Sequence, residues 1–235
     1  MKVTLIDYTQ DAPEKLIFTK STRLKMSPDL MKSVQDMTKE EKLNELAYMV
    51  NTIRSSWEFV NYTFMIEGVS RAFTHQFVRN RQGSYAQQTM RILDVSGFDY
   101  ITGPSIQTEE QKVTYDACMQ TIQESYDKLI ESGVKIEDAR GLLPTNICTN
   151  ICAQYNLRTL AELVASRSSP RTQGEFREVM DHMYWAVIDV HPWAALFLKD
   201  QKHDAAKFIE EVMDHLGIEG ELYTDVIKKL DILRK

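Results

Sequence analysis

The sequence predicts a chain of the α/β (α+β) class, with a mixed or antiparallel central sheet and several helices packed against it. Three observations carry this reading. Two segments alternate at period two, as strands do; a larger number repeat at helical spacing; and no internal repeat or low-complexity linker divides the 235 residues. With 43% hydrophobic residues, the chain can bury one good-sized core, so a single domain over 1–235 is expected.

The opening Lys2 to Tyr8 sets Val3, Leu5 and Asp7 against Thr4, Ile6 and Tyr8, a strand pattern. Thr38-Lys39-Glu40-Glu41 is a capping-box signature: the threonine accepts from the backbone three residues on, and the glutamate returns the bond. Leu43, Leu46, Ala47, Val50 and Ile53 then share a face, so a helix is predicted from about Lys39 to Arg54. In Glu58 to Ile66, the residues Val60, Tyr62, Phe64 and Ile66 fall on one side of a second strand. Ser70 caps a short helix reaching Val78, with Phe73 and Phe77 four apart, and that helix leads into a basic segment.

Gly97 and Gly103-Pro104 bracket a short extended piece. Thr108, with Gln111 three residues later, opens a long helix ended by Gly133, with Tyr115, Cys118, Ile122, Tyr126 and Leu129 expected inward. Period alone fits Thr145 to Tyr155 to a strand or a helix; the strand is preferred. Helices are expected over Leu157 to Ser166, Gln173 to Asp189 and Ala205 to Leu216, the last closed by Gly217, with a terminal helix from Leu222 to Leu233. Phe176, Val179, Met180, Met183 and Val187 point inward, and Trp185 and Trp193 are expected to help bury that helix.

The formal net charge of -6 argues against a general nucleic-acid surface, which needs many phosphate-neutralising cations. No run reaches the roughly 18 to 20 apolar residues of a membrane span, and the N-terminus reads as a strand rather than a signal peptide, so a cytoplasmic protein is expected. Cys118, Cys148 and Cys152 make neither a disulfide framework nor a Cys-x-x-Cys motif, and are expected reduced and mostly buried. Cys148 and Cys152 read as a core pair rather than a redox pair. His182, His191, His203 and His215 lack metal-ligand spacing, so no metal is expected. His75, between Phe73 and Phe77, reads as a packed histidine, or one that supports the site from behind, rather than a catalytic one.

The chemistry concentrates between Arg79 and Arg91. This stretch holds three guanidiniums (Arg79, Arg81, Arg91), hydroxyls at Ser84 and Thr89, amides at Gln87 and Gln88, and Gly83. The planar guanidinium fork matches phosphate oxygens in pairs, and hydroxyls and backbone amides complete such a cradle. The alternative is an exposed basic turn engaged in surface salt bridges.

The stretch from Arg71 to Arg91 resembles the signature of the flavin-dependent thymidylate synthases, whose pattern reads Arg-His-Arg-x-x-Ser, followed by a Ser-x-Arg five residues on. Arg79, Arg81, Ser84 and Arg91 agree, Thr89 replaces the later serine, and Gln76 stands where that family has a glutamine. Two more segments resemble the family in the right order. One is Glu137-Asp138-Ala139-Arg140-Gly141-Leu142-Leu143-Pro144; the other is Asn156-Leu157-Arg158 with the later Arg167 and Gln173.

The resemblance implies an FAD enzyme reduced by NADPH that takes a one-carbon unit from methylenetetrahydrofolate. It methylates dUMP at C5 without a cysteine nucleophile and works as a homotetramer with shared active sites. It further implies that Arg79, Asn80, Arg81, Ser84, Asn156 and Arg158 contact the flavin, and that Gln76, Gln87, Thr89, Arg91, Arg140 and Arg167 hold the nucleotide. Glu162 either lies at the flavin edge or forms a helix-surface ion pair with Arg158, four residues earlier. Arg167 takes the catalytic role, because negative charge develops on the pyrimidine carbonyls and N3 as C5 is activated.

The chain departs from the pattern at three places. Asn80 replaces the central histidine, Phe59 stands where a histidine follows the glutamate, and Ile92 replaces an aromatic residue. Asn80 cannot become a cation near neutral pH. Two alternatives follow: a dUMP or dCMP hydroxymethylase, in which water quenches the methylene intermediate, and a non-catalytic nucleotide-binding relative that kept the fold and lost the flavin.

Overall fold

Four strands, β1 (Lys2–Tyr8), β2 (Asn61–Ser70), β3 (Ser84–Gln87) and β4 (Cys148–Asn156), pair antiparallel in the order β1-β2-β4-β3 in a computed structural model of the chain. It describes residues 1–24, 27–167, 171–198 and 220–233. The sheet belongs to a unit made of Met1–Gln10, Val60–Asn156 and Gly174–Ala186; a second unit comprises Asp11–Phe59, Leu157–Gln173 and Val187–Lys235.

The sheet has one buried face because its period-two pattern puts large apolar groups there. Tyr62, Phe64 and Ile66 are buried, and their partners across the ladder are Tyr155, Ala153 and Ile151, also buried. The register shifts between Ile66 and Val69, where Gly68 adopts φ 64° and its amide donates to Asn150 Oδ1 at 2.9 Å. Only glycine takes that conformation without cost, and the resulting bulge buries Val69 and Ser70 in succession. The strand therefore runs beyond the expected Ile66 to Ser70, and starts at Asn61 rather than Glu58.

Two helices contribute aromatic groups to the same unit: α4 (Arg71–Phe77) and α8 (Gly174–Val190), the latter through Ala186. Phe73 meets Phe176 edge-on at 5.0 Å, and Phe77 meets Tyr155 at 5.7 Å and Phe176 at 5.8 Å. Each buried aromatic contributes roughly 1.5 to 3 kcal/mol of transfer free energy, so this cluster is what holds α4 in place. The long helix α5 (Glu109–Glu131) begins with the expected box: Gln111 N donates to Thr108 Oγ1, and Thr108 N donates to Gln111 Oε1. Its inward stripe is Tyr115, Met119, Ile122, Tyr126 and Leu129; Cys118, expected inward, is exposed because Met119 takes that place on the face. Cys148 and Cys152 are half-buried rather than core residues.

The second unit is helical. Helices α1 (Ala12–Ser21), α2 (Leu30–Gln35) and α3 (Lys39–Met49), a 3₁₀ turn over Arg54–Phe59, α7 (Leu157–Arg167) and α9 (Ala195–Leu198) contribute Leu16, Ile17, Val34, Leu46, Met49, Trp57, Leu160 and Phe197 to its core. Trp57 and Phe197 meet edge-on at 4.8 Å. The capping box at Thr38 forms as expected, but α3 stops at Met49 and its buried stripe is Leu46, Met49 and Val50, which leaves Leu43 and Ile53 exposed. In α8 the expected inward residues are buried, whereas Trp185 is 61% exposed and does not cover the helix. The terminal helix spans Glu221–Leu233, and the helix expected over Ala205 to Leu216 lies outside the described residues. No helix among the described residues is long and apolar enough to cross a membrane.

Candidate functional site

The basic segment leaves a helix that is fixed at both ends. At the start of α4, Ser70 Oγ accepts from Phe73 N at 3.0 Å while donating to Glu175 Oε2 at 2.6 Å; Ser70 N donates to Glu175 Oε1, also at 2.6 Å. At the far end the chain turns tightly, with Asn80 N on Phe77 O and Gly83 N on Asn80 O, each at 3.3 Å. The Asn80 side chain serves this turn, accepting from Gln82 N at 3.2 Å. Tyr85 Oη donates to the Asn80 carbonyl at 2.6 Å, and Tyr155 Oη donates to Tyr85 Oη at 2.9 Å. Burial raises the pKa of both phenols, Tyr155 very strongly; the hydrogen bond from Tyr155 partly offsets the shift at Tyr85. A part-buried hydroxyl chain thus ties the turn to the sheet. A Cβ added at Gly83 would stand 2.5 Å from the Tyr155 ring and 2.8 Å from Tyr85 Oη, so the close approach requires glycine.

The loop so tethered displays Arg79 and Arg81 to solvent. No carboxylate among the described residues forms an ion pair with either. Ser84 opens β3 on its exposed side, and Gln76 lies on the exposed side of α4. Gln87, on the inner side of β3, donates to the buried Thr74 Oγ1 at 2.8 Å. Thr89 Oγ1 accepts from Arg91 N at 3.1 Å, and Arg91 Nε pairs with Glu137 Oε2 at 3.2 Å.

Arg140 follows the short helix α6 (Ile136–Ala139) and donates from Nε to the Glu137 carbonyl at 3.1 Å. Glu137 stands between two cavities. One, of about 580 Å³, is lined by Thr89, Arg91, Ile92, Lys135, Ile136 and Glu137. The other, of about 280 Å³, includes Arg71, His75, Met90, Glu137, Arg140 and Leu143. The sheet unit therefore brings Thr89, Arg91 and Arg140 to one patch of cationic clefts. His75, expected to be packed, is exposed and lines the smaller cleft: Phe73 and Phe77 take the inner side of α4, which turns Arg71 and His75, four residues apart, outward.

The second unit holds the other expected residues. Arg158, in the first turn of α7, donates from Nη1 to Glu58 Oε1 at 2.7 Å and from Nε to Glu162 Oε1 at 3.1 Å. Glu162 and then Glu58 raise its pKa. Glu162 thus makes the helix-surface ion pair. Phe59, beside Glu58, is 54% exposed. Arg167 closes α7, and Asn156 ends β4 in the sheet unit.

Sequence reasoning missed Arg71, Glu137 and the two tyrosines Tyr85 and Tyr155. The spacing of Arg71 and His75 opposite Phe73 and Phe77 is the signal that would have found the first. Nothing local to Tyr155, seventy positions from Tyr85, announces the hydroxyl chain. Burial, with Asp99 nearby, pushes the Cys148 thiol up, away from an activated thiolate.

Residues 4–193 match the model of the family described as thymidylate synthase complementing protein. The flavin-dependent thymidylate synthase of Clostridium tetani is 34% identical over 211 residues, 82% of this chain and 84% of that protein. That of Sulfurisphaera tokodaii is 35% identical over 198 residues, 82% of this chain and 75% of its own length. The Geobacter sulfurreducens enzyme of the same name is 31% identical over 200 residues, 82% and 84% of the two chains. With the match running through both the arginine segment of the sheet unit and α7, the chain belongs to the thymidylate synthase complementing protein family.

Proposed function

We propose that this chain is a flavin-dependent thymidylate synthase, a single catalytic domain that converts dUMP to dTMP by reductive methylation at C5. The observation that carries the reading is the tethered arginine segment: Arg79 and Arg81 are presented on the turn held by Tyr85, and Arg91, further along the same segment, lines the cleft at Glu137. The family and the names of its relatives favour methylation over the hydroxymethylase and the non-catalytic readings. FAD is the flavin of this proposal, NADPH and methylenetetrahydrofolate are the co-substrates, and the assembly is a cytoplasmic homotetramer.

The donor set suits a flavin nucleotide. Arg79 and Arg81 offer guanidiniums with no carboxylate partner among the described residues, Ser84 adds a hydroxyl on the exposed side of β3, and Arg158 offers one that must exchange Glu58 and Glu162 for the cofactor. Asn80 contributes its position rather than a charge, since its side chain is bonded into the turn. Asn156 and Glu162 complete the proposed cofactor set. When bound, the flavin supplies the redox chemistry of the reaction, and the residues of the chain supply binding and electrostatics.

Gln76, Gln87, Thr89, Arg91 and Arg140 hold the nucleotide in this scheme. Arg91 and Arg140 neutralise its phosphate, which gives binding free energy away from the reacting carbon. Arg167 stabilises the negative charge that develops on the pyrimidine carbonyls and N3.

Incubation with FAD, NADPH, methylenetetrahydrofolate and either dUMP or dCMP, with mass analysis of the nucleotide, tests the proposal. A methyl gain on dUMP is expected; a hydroxymethyl gain or an unchanged nucleotide overturns it.

A further inference from the structure

Gln87 ends β3 on its inner side, and its amide reaches a single buried hydroxyl. The backbone there is held by the ladder: Gln87 stands opposite Ile151 of β4, and Gln88 N donates to Asn150 O at 3.0 Å. The side chain extends to α4, where Gln87 Nε2 donates to Thr74 Oγ1 at 2.8 Å. Thr74 is buried, and its own hydroxyl donates to the Arg71 carbonyl at 3.0 Å. The helix that carries Thr74 is pinned at its start by Ser70 and Glu175.

The relay runs one way. A carbonyl oxygen has no proton to give, so Thr74 donates to Arg71 and accepts from Gln87. Turning the amide would offer the one Thr74 proton two carbonyl oxygens. One of the two contacts, at 2.8 or 3.0 Å, would then set oxygen against oxygen with no proton between them. The two ends of a glutamine amide are nearly alike in shape and opposite in hydrogen-bonding character. With Nε2 committed to Thr74, Oε1 is the end left for a ligand, and no donor among the described residues bonds it. An amide oxygen accepts from a hydroxyl or a ring N–H and has nothing to donate to a phosphate. Gln87 therefore differs in kind from Arg91 and Arg140, the cations of the same proposed set.

We infer that Thr74 is a positioning residue, which fixes the Gln87 amide so that Oε1 accepts from a donor on the nucleoside part of the nucleotide, its 3′-hydroxyl or its N3–H. The inference rests on the proposed function for the nucleotide, and on the bonds from Gln87 through Thr74 to Arg71 for the orientation.

The test is calorimetric titration of the flavin-loaded full chain with dUMP, deoxyuridine and 2′,3′-dideoxyuridine monophosphate. Thr74→Val keeps the branched shape and removes the hydroxyl. It is expected to weaken dUMP and deoxyuridine by the same factor, roughly three- to tenfold, as loss of a neutral hydrogen bond does. Thr74→Ser, which keeps the hydroxyl, is expected to bind as the unaltered protein does. In a Gln87→Ala background, Thr74→Val is expected to cost nothing further, because its effect passes through Gln87. The dideoxy analogue assigns the donor: a penalty that vanishes there names the 3′-hydroxyl, and one that persists names N3–H. Thr74→Ala removes the same hydroxyl and supplies the reading if the valine variant does not fold. Unchanged dUMP affinity overturns the inference, as do a loss confined to dUMP, a loss that Thr74→Ser shares, and additive losses in the double variant. A protein that methylates dUMP while Thr74→Val binds it normally keeps the proposed function and loses this inference. One that makes no thymidylate but shows the coupled loss keeps the inference and loses the proposed function.

Discussion

Tyr155 donates its hydroxyl proton to Tyr85 at 2.9 Å, and Tyr85 passes its own to the Asn80 carbonyl at 2.6 Å. Strand β4 thereby holds the turn that presents Arg79 and Arg81, through a path in which the Tyr85 hydroxyl reaches the Asn80 carbonyl and, at 3.2 Å, the Phe77 carbonyl as well. Tyr85→Phe leaves the ring packing and removes the tether. The expected result is a loss of about 1 kcal/mol in urea unfolding, together with weaker FAD retention on gel filtration. Unfolding and FAD retention both matching the unaltered protein would show that the turn holds itself.

Gly83 has no room for a methyl group, since a Cβ there meets the Tyr155 ring at 2.5 Å and Tyr85 at 2.8 Å. Both tyrosines are anchored, so neither can yield cheaply. Gly83→Ala is expected to destabilise by roughly 1 to 3 kcal/mol, the range for overpacking, and to disturb FAD binding more than Tyr85→Phe does. A thermal midpoint within one degree or so of the unaltered protein would mean that the tyrosines can move aside.

What the sequence disclosed depended on whether the determinant was local. The two threonine boxes, the Ser70 cap and the period-two run of Tyr62, Phe64 and Ile66 each rest on neighbours within a few positions, and each forms as read. Helices α1 and α2 passed unnoticed, because the apolar groups of α1 form only a weak stripe and α2 has six residues. The exposed Leu43 and Trp185 show the limit of a helical face: the pattern marks a stripe but not its edges. At the site, the arginine motif was legible and its support was not. Asn80 looked like a lost imidazolium, whereas its side chain and carbonyl are both committed to the turn, which only the partners Gln82 and Tyr85 reveal.

His191 is buried against Trp193, with ring centroids 5.0 Å apart, and burial depresses its pKa below the ordinary 6.5. The unfolded chain then binds a proton that the folded chain refuses. Stability is complete above the ordinary histidine range and is lost as the pH falls through about 6.5 toward the depressed value. Thermal melts from about pH 8 to pH 5.5 are expected to show a decline that is shallower in His191→Gln. Parallel declines in the two proteins would remove His191 as the cause.

Arg91 and Glu137 set two opposite expectations for nucleotide affinity. Their ion pair is exposed, at 68% and 42% of the side chains, so it contributes little to the fold, about 0 to 1 kcal/mol. Arg91→Ala should therefore fold normally while losing the roughly 1.5 to 3 kcal/mol of a charge-assisted phosphate contact, seen as weaker dUMP binding by calorimetry. Glu137→Gln removes the negative charge that borders both cavities and frees Arg91 for the ligand, so dUMP and inorganic phosphate should each bind more tightly. If Glu137→Gln instead weakens dUMP as Arg91→Ala does, the carboxylate positions the guanidinium rather than competing for it. If Arg91→Ala leaves dUMP affinity intact, the phosphate does not reach Arg91.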